Sequence, residues 1–452
     1  MGALFGTDGV RGVANIELTA ELAFDLGRVG SHVLASQSGG ARPRILVGKD
    51  TRISCDMLEA ALIAGICSTG ADAITVGIIP TPAVAYLTRE YGASSGIVIS
   101  ASHNPVEDNG IKFFGPNGFK LPDEIEEQIE KLVIEGTADI PRPAGPEVGR
   151  VYTVPDAGNK YLSHLMGCYD LESDLSGITA VMDCANGAAY ELGPQLWERM
   201  GAKVIAINNQ PNGVNINDRC GSTNTDGLKK AVINYKADIG VAFDGDADRC
   251  ILVDERGNEV DGDFLLLICA LDMQRRKILD PPLVVVTVMS NIGLDIALQR
   301  ENVDIISTKV GDRYVLEKMQ ETGGKIGGEQ SGHIIFLDHA TTGDGLLTSL
   351  KVAEVLKRTG LTLSELAGEM EKQPQILVNV RIENKEKVLA LPLVREALEE
   401  AEQKLGKWGK LVVRPSGTEP LVRIMAQGPD RNLLEEVIND IKKAVESVSI
   451  RD

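Results

Sequence analysis

Three times along the chain an apolar run gives way to a polar turn and then to a helix-like stretch. The runs are "RILVGKDT" at 44–51, "GITAVMDCANG" at 177–187 and "PPLVVVTVMSN" at 281–291. A second apolar run follows each helix: "AITVGIIP", "KVIAINNQP" and "DIISTKVG". Strand, helix, strand in that order closes through a right-handed crossover, which sets the two strands parallel. The pattern predicts three related α/β domains with mixed, largely parallel sheets. The last 80 or so residues break the pattern. There "QILVNVRIE", "GKLVVRPSGTEPLVRIMAQG" and the amphipathic "NLLEEVINDIKKAVES" predict an antiparallel sheet covered by helices, a C-terminal α+β domain.

A chain of 452 residues is longer than one core serves, so four domains are reasonable by size. We place them at 1–155, 156–256, 257–372 and 373–452. The linkers are read at "GTADIPRPAGPEVG", at the turn around Glu255 to Asn258, and at "EKQPQ" near 373. A net charge of −19 argues against a surface for nucleic acid or anionic lipid, so any bound phosphate must be held by local groups. No apolar run reaches the length of a membrane helix, which predicts no membrane insertion, and the start lacks a basic segment followed by an apolar one. The seven cysteines form no CxxC pair, which fits reduced thiols in a cytoplasmic protein.

Four segments carry candidate chemistry. The first is "GIVISASHNPVEDNGIKFF", where an apolar strand ends in Ser102, His103 and Asn104. Ligands of open α/β sheets sit at the carboxyl ends of strands, which makes Ser102 a site candidate, whereas Asn104 and Pro105 read as a turn. No G-x-S-x-G elbow surrounds Ser102, so acyl chemistry is disfavoured. Alternation on the returning strand puts Ile111 and Phe113 on one face and Lys112 on the other.

The second segment is "DIGVAFDGDADRCILVDERG", with Asp244, Asp246 and Asp248 alternating with Gly245 and Ala247. Period two would aim the three carboxylates one way, and three like charges so close call for a divalent cation, Mg²⁺ suiting all-oxygen ligation. The spacing imitates a calcium loop, but Arg249 stands where that loop needs glycine. Arg249 fits an anion beside the metal. The segment also has the D-x-D spacing of haloacid-dehalogenase-type phosphatases, which keeps a sugar phosphatase as an alternative.

The third segment, "GGEQSGH", offers Glu329, Ser331 and His333 at alternate positions on a flexible loop, a pattern suited to sugar hydroxyls. The fourth, "RPSGTEPLVR", gathers Arg414, Ser416, Gly417, Thr418 and Arg423 into a phosphate socket of guanidinium forks, hydroxyls and backbone N–H groups. Walker and G-x-G-x-x-G phosphate loops are absent from the sequence.

In this order, one per domain, "SASHNP", "DGDADR", "GEQSGH" and "RPSGTEP" resemble the phosphoserine, metal, sugar-binding and phosphate-binding loops of the α-D-phosphohexomutase family. The likeness runs over essentially the whole chain. "FGTDGVRG" and the Gln330-containing loop are similar to the bacterial branch that acts on glucosamine phosphates. The resemblance implies four domains around a central cleft and an isomerase that interconverts glucosamine 6-phosphate and glucosamine 1-phosphate, feeding UDP-N-acetylglucosamine and peptidoglycan precursors. It implies a phosphorylated Ser102, one Mg²⁺ on Asp244, Asp246, Asp248 and a phosphate oxygen, and glucosamine 1,6-bisphosphate as intermediate and activator. Glu329 and Ser331 would hold the sugar, and Arg414, Ser416, Gly417, Thr418 and Arg423 the phosphate that is not reacting. Arg11, Lys112 and His333 match family positions near the transferred group, with Lys112 and His333 both open as proton carriers. Members acting on glucose or mannose phosphates use the same loops, so those substrates stay open as alternatives. A homodimer through the first domain is also implied.

Overall fold

The structure is a computed structural model that describes residues 4–6, 8–35, 42–136, 139–382, 384–415 and 421–449. Its strands form four sheets. The first runs Phe5–Gly6, Gly9–Val13, Asp108–Phe114, Ser95–Ile99, Arg44–Lys49, Asp72–Ile78, Val151–Thr153 across its width. Ser95–Ile99, Arg44–Lys49, Asp72–Ile78 and Val151–Thr153 are parallel neighbours. Asp108–Phe114 and Gly9–Val13 add on antiparallel.

The second sheet centres on Thr179–Asp183, parallel to both Lys203–Ile207 and Ile239–Phe243, and is completed by antiparallel Cys250–Asp254 and Glu259–Val260. The third sets Leu283–Thr287 parallel to Asp304–Thr308 and Ile326–Gly328, with Ile334–Phe336 antiparallel at its edge. The last is antiparallel throughout, with Leu421–Gln427 between Gln375–Arg381 and Lys410–Pro415. Both the crossovers and the change of class near residue 375 follow the sequence reading.

One rule places the chemistry. In the first three sheets a parallel strand ends, a short loop follows, and the chain returns antiparallel beside it: residues 100–107, 244–249 and 329–333 are those loops. Residues 416–420, in sequence between Lys410–Pro415 and its antiparallel neighbour Leu421–Gln427, lie outside the described residues. The turn at Glu255–Asn258, read from sequence as an interdomain link, instead closes a hairpin of the second sheet, since Leu252 pairs with Val260. Its Gly257 has φ +83° and Asp254 takes the N–H groups of Arg256 and Asn258, which makes it a local turn rather than a linker.

Alternation sends Ile45, Val47, Ile97 and Ile99 into a core under the first two long helices, Ala20–Ala35 and Ser54–Cys67. Leu46, Val98 and Phe114 face the other way, into a core shared with Trp197, Phe243, Leu266 and Leu350. That second core is continuous across the first three sheets. The C-terminal sheet has its own core, built from Ile424, Val422 and the helix Arg431–Ser449 through Leu434, Ile438 and Ile441. Helices around the third sheet start on sequence-encoded caps: Asp261 takes the Asp263 N–H, Asn291 that of Gly293, and Asp344 that of Leu347. Among the described residues no helix is long and apolar enough to cross a membrane, and all seven cysteines are free thiols.

Candidate active site

Ser102 sits just past the carboxyl end of Ser95–Ile99, in the left-handed region at φ +52° and 1% exposed. Its peptide N–H donates to Ser100 Oγ at 2.9 Å. Its hydroxyl donates to Asp244 Oδ2 at 2.6 Å, 142 residues away in sequence. The turn reading of the neighbours holds as well: Asn104 N–H returns to the Ala101 carbonyl, and its amide donates to Asp108. His103 Nδ1 lies 3.1 Å from Arg249 Nη1. Burial, then the Arg249 and Arg11 guanidinium groups, push this imidazole down to about 4, so it meets Arg249 as a neutral acceptor.

Asp244, Asp246 and Asp248 each offer an oxygen within 4.8 Å of the others. The route to that geometry differs from the expected one. The strand ends at Phe243, and the aspartates sit on a tight turn in which Ala247 N–H bonds to the Asp244 carbonyl and Ala247 takes φ +56°. An extended chain would have carried Asp248 away from Asp244; the turn folds it back. Burial, and then the Asp248 and Asp246 charges, raise the Asp244 carboxyl well above the ordinary range. Asp246 Oδ1 and Asp248 Oδ1 are buried with no hydrogen-bond partner. Three converging carboxylates with two orphaned inner oxygens fit a small hard cation such as Mg²⁺.

Around the triad runs a closed circuit of charge. Lys112 Nζ is 2.9 Å from Asp246, 2.9 Å from Asp8 and 3.8 Å from Asp248. Asp8 also pairs with Arg11 and Lys120, and Lys120 bridges to Asp312. His333 completes the circuit, with Nε2 3.6 Å from Asp312 and Nδ1 3.5 Å from Asp248. Burial alone would lower the Lys112 ammonium, but Asp246, Asp8 and Asp248 outweigh it and hold the pKa raised. Burial likewise opposes, and Asp248 and Asp312 reverse, the shift at His333, whose pKa is raised. The Gly343 N–H donated to Nε2 at 3.0 Å works against that charge and favours the Nδ1–H tautomer facing Asp248.

Asp8, Arg11, Arg249, Asp312, Glu329, His333 and Arg414 line one cleft of about 510 Å³, a size suited to a small ligand. Glu329 accepts the Gly311 N–H at 3.1 Å and faces Ser331 Oγ at 3.4 Å. Ser331 and Gln330 open on the adjoining hollow, which also contains Arg249 and Lys372. The His333 ring turns inward, toward Asp248 and Asp312. Arg414 and Arg423 are directly paired across adjacent strands, and burial followed by the Arg423 charge lowers Arg414. Of the two, Arg414 lines the cleft, where a guanidinium can take an anion. Ser416, Gly417 and Thr418 lie outside the described residues.

The structure thus brings Ser102, Lys112, Asp244, Asp246, Asp248 and His333 into one buried cluster, with Arg11 and Arg249 partly exposed at its edge and Glu329 and Arg414 on the cleft beside them. Sequence reasoning passed over Asp8, Lys120, Asp312 and Thr81. Thr81 Oγ1 donates to Asp246 Oδ2 at 2.7 Å, and its N–H to the Asp246 carbonyl at 2.9 Å.

Four family models match in succession: the phosphoglucomutase/phosphomannomutase alpha/beta/alpha domains I, II and III over 2–139, 159–257 and 261–373, and the C-terminal domain over 377–444. The phosphoglucosamine mutase of Syntrophomonas wolfei is 72% identical over 446 residues, 99% of each chain. That of Desulforamulus reducens is 54% identical over 448 residues, 99% of this chain and 100% of its own. A phosphoglucomutase/phosphomannomutase family protein from Burkholderia thailandensis superposes with a TM-score of 0.81 at 23% identity, over 98% of this chain and 97% of that one. N-acetylphosphoglucosamine mutase of Aspergillus fumigatus, solved with GlcNAc-6P and magnesium, gives 0.70 at 17% identity over 99% and 96%. At such identities these two structures speak for the fold.

Proposed function

This chain belongs to the phosphoglucomutase/phosphomannomutase family and is a phosphohexomutase-type isomerase, and on that premise we propose that it interconverts glucosamine 6-phosphate and glucosamine 1-phosphate through a phosphorylated Ser102. The observation that carries the reading is the Ser102 hydroxyl, buried 2.6 Å from Asp244 on the same turn that brings Asp248 and Arg249 to the wall of the cleft lined by Arg414. The two high-identity relatives carry the substrate assignment, since both are phosphoglucosamine mutases over their full length.

Asp244, Asp246 and Asp248 are the residues that would hold Mg²⁺. Bound there, the ion supplies positive charge beside the phosphoryl oxygens. The chain's own groups do the rest. Lys112 and Arg249 add fixed cations beside a phosphoserine of about −1.5 to −2 charge. In the first transfer the bond from phosphorus to Ser102 Oγ breaks as a bond to the free sugar hydroxyl oxygen forms; that hydroxyl gives up its proton and Ser102 Oγ gains one, which restores the serine hydroxyl. The product is glucosamine 1,6-bisphosphate. After it turns around in the cleft, its other phosphoryl group returns to Ser102, so both poses must be held by one socket.

Glu329 and Ser331 are assigned to the sugar hydroxyls. Arg414 and Arg423, with Ser416, Gly417 and Thr418, are assigned to the phosphate that is not reacting. Lys112, kept as an ammonium by Asp246 and Asp8, can donate a proton or charge but is a poor base at neutral pH. His333 stays open beside Lys112 as a proton carrier, and Arg11, tied to Asp8, is assigned the orientation of the transferred group. Family membership also carries forward a cytoplasmic homodimer through the first domain, on the route to UDP-N-acetylglucosamine.

The test compares kcat/KM on glucosamine 6-phosphate and glucose 6-phosphate with Mg²⁺ and bisphosphate present, alongside mass spectrometry of Ser102 and the Ser102→Ala variant. Preference for glucosamine, phosphate on Ser102 and loss of turnover in the variant are expected. A preference for glucose overturns the substrate; retained activity in Ser102→Ala overturns the carrier. Steady release of inorganic phosphate without Ser102 would favour the D-x-D phosphatase.

A further inference from the structure

Ser102 is held by its carbonyl as well as by its hydroxyl. Arg52 Nη2 donates to that carbonyl at 3.0 Å and Asn217 Nδ2 at 2.8 Å. The same two side chains converge on the Asn104 carbonyl, at 2.8 and 3.0 Å, and Arg52 Nη1 donates to the Pro105 carbonyl. Arg52 is itself fixed: its Nε pairs with Asp50 Oδ2 at 3.0 Å, both side chains being fully buried, and Asp50 also takes the Ser100 hydroxyl. Since Ser100 Oγ receives the Ser102 N–H, the Ser102 backbone is gripped at both ends from one network.

Asn217 comes from another part of the chain, the asparagine-rich loop 208–217 between the second sheet's strand Lys203–Ile207 and helix Asp226–Tyr235. That loop is docked on the Thr51–Ile53 turn beside Arg52. Thr51 Oγ1 donates to the Asn186 carbonyl at 2.6 Å, and Ile53 N–H to the Gly213 carbonyl at 2.8 Å. Asn217 itself sits at φ +58°, a conformation that asparagine, aspartate and glycine tolerate.

We propose that Arg52 and Asn217 are positioning residues for the phosphoryl carrier, a two-domain fork that fixes the Ser102–Asn104 carbonyls and so aims Ser102 Oγ at the metal loop. The inference rests on the reading of Ser102 as carrier. Neither side chain touches the transferred group. The fork acts on the backbone whose left-handed Ser102 would otherwise relax, and it works in both half-reactions because the carbonyls do not change between serine and phosphoserine.

The test uses the full-length protein with Asn217→Asp and Asn217→Gly. Both remove the amide donor and both accept the backbone conformation; the glycine variant adds no charge. We expect kcat to fall by about 10- to 100-fold, as for misplaced reacting groups. KM, the unfolding midpoint and Mg²⁺ affinity should stay near wild type, while phosphorylation of Ser102 by glucosamine 1,6-bisphosphate slows in parallel with kcat. Full kcat in both variants overturns the proposal, as does a loss that tracks the unfolded fraction. Ser102→Ala is run beside them: if it is inactive and the Asn217 variants are not, the fork alone fails, whereas activity in Ser102→Ala removes the carrier reading and the fork with it.

Discussion

Replacing Gly245 by alanine should disable the site through a single methyl group. Gly245 lies between Asp244 and Asp246, and a Cβ built on it would stand 2.5 Å from the Ser102 carbonyl oxygen and 2.9 Å from Asn217 Nδ2. Ordinary contact begins near 3.4 Å, so the Ser102 loop and the metal loop must part by 0.9 Å, the difference between 3.4 and 2.5. The Ser102 to Asp244 hydrogen bond, 2.6 Å long, bridges those same two loops and does not survive such a separation. A misplacement near 1 Å costs about 10²-fold in rate, or about 2.7 kcal/mol of transition-state stabilisation. Overpacking should destabilise the fold by a further ~1–3 kcal/mol. Initial rates of glucosamine 1-phosphate formation read the first effect, and chemical unfolding the second. Gly227→Ala is the control: nothing lies within 4 Å of its Cβ position, in helix Asp226–Tyr235, so its rate should equal wild type. A Gly245→Ala enzyme with kcat within about threefold of wild type would refute the claim that positioning to below 1 Å at this junction governs the transfer.

Two further outcomes follow from charge. Asp263 is buried, and burial followed by the Asp261 charge raises its carboxyl to about 7. Its unfolded counterpart titrates near ~3.9. The fold therefore retains a proton that the unfolded chain has lost, and stability is fullest below about pH 4 and declines as pH rises toward 7, by roughly 4 kcal/mol in all. Urea midpoints should fall between pH 5 and pH 8 and fall less in Asp263→Asn; equal slopes would rule out Asp263 as the source. After chelation, added MgCl₂ should raise the thermal midpoint saturably, by about 2.7 kcal/mol of stability at a hundred times Kd. Asp246→Asn, which removes the charge beside an orphaned oxygen, should lose most of that rise. Wild-type protein whose midpoint ignores Mg²⁺ would sink the cation site.

The Ser102 and aspartate loops were readable in the sequence because each is a short run whose chemistry is complete within a few residues: a serine after an apolar strand and three alternating aspartates. Lys112 was readable for the same reason, its side being set by alternation against Ile111 and Phe113. The aspartates reached their expected convergence by an unexpected path, a left-handed turn at Ala247 where period two had stood in for it. What stayed hidden was everything assembled from separate segments. Lys120 and Asp312 sit in unremarkable glycine-containing stretches, Asp8 lies within "FGTDGVRG" with no sign of its partners, and their circuit exists because residues 112 and 192 positions apart meet. Asn217 had no signal at all. Its loop is a run of turn-forming asparagines in which the one that reaches across to Ser102 looks like the others. The hairpin at Glu255–Asn258 was misread because a turn inside a sheet and a turn between sheets carry the same residues.

The apolar core that runs unbroken from Leu46 through Phe243 to Leu350 constrains how such a chain can be recombined. A site assembled from loops of several sheets invites exchange of whole domains between relatives. In this molecule a cut between the first three sheets severs a packed interior, and a foreign module would have to bring matching surfaces for Trp197 and Leu266 along with its loop. The seam that tolerates exchange is the one near residue 375, where the C-terminal unit, with a separate core, meets its neighbour through polar contacts such as Gln427 to Ile292 and Lys410 to Ser290. The C-terminal unit can thus be exchanged as a piece, whereas the first three have to be changed side chain by side chain within one continuous core.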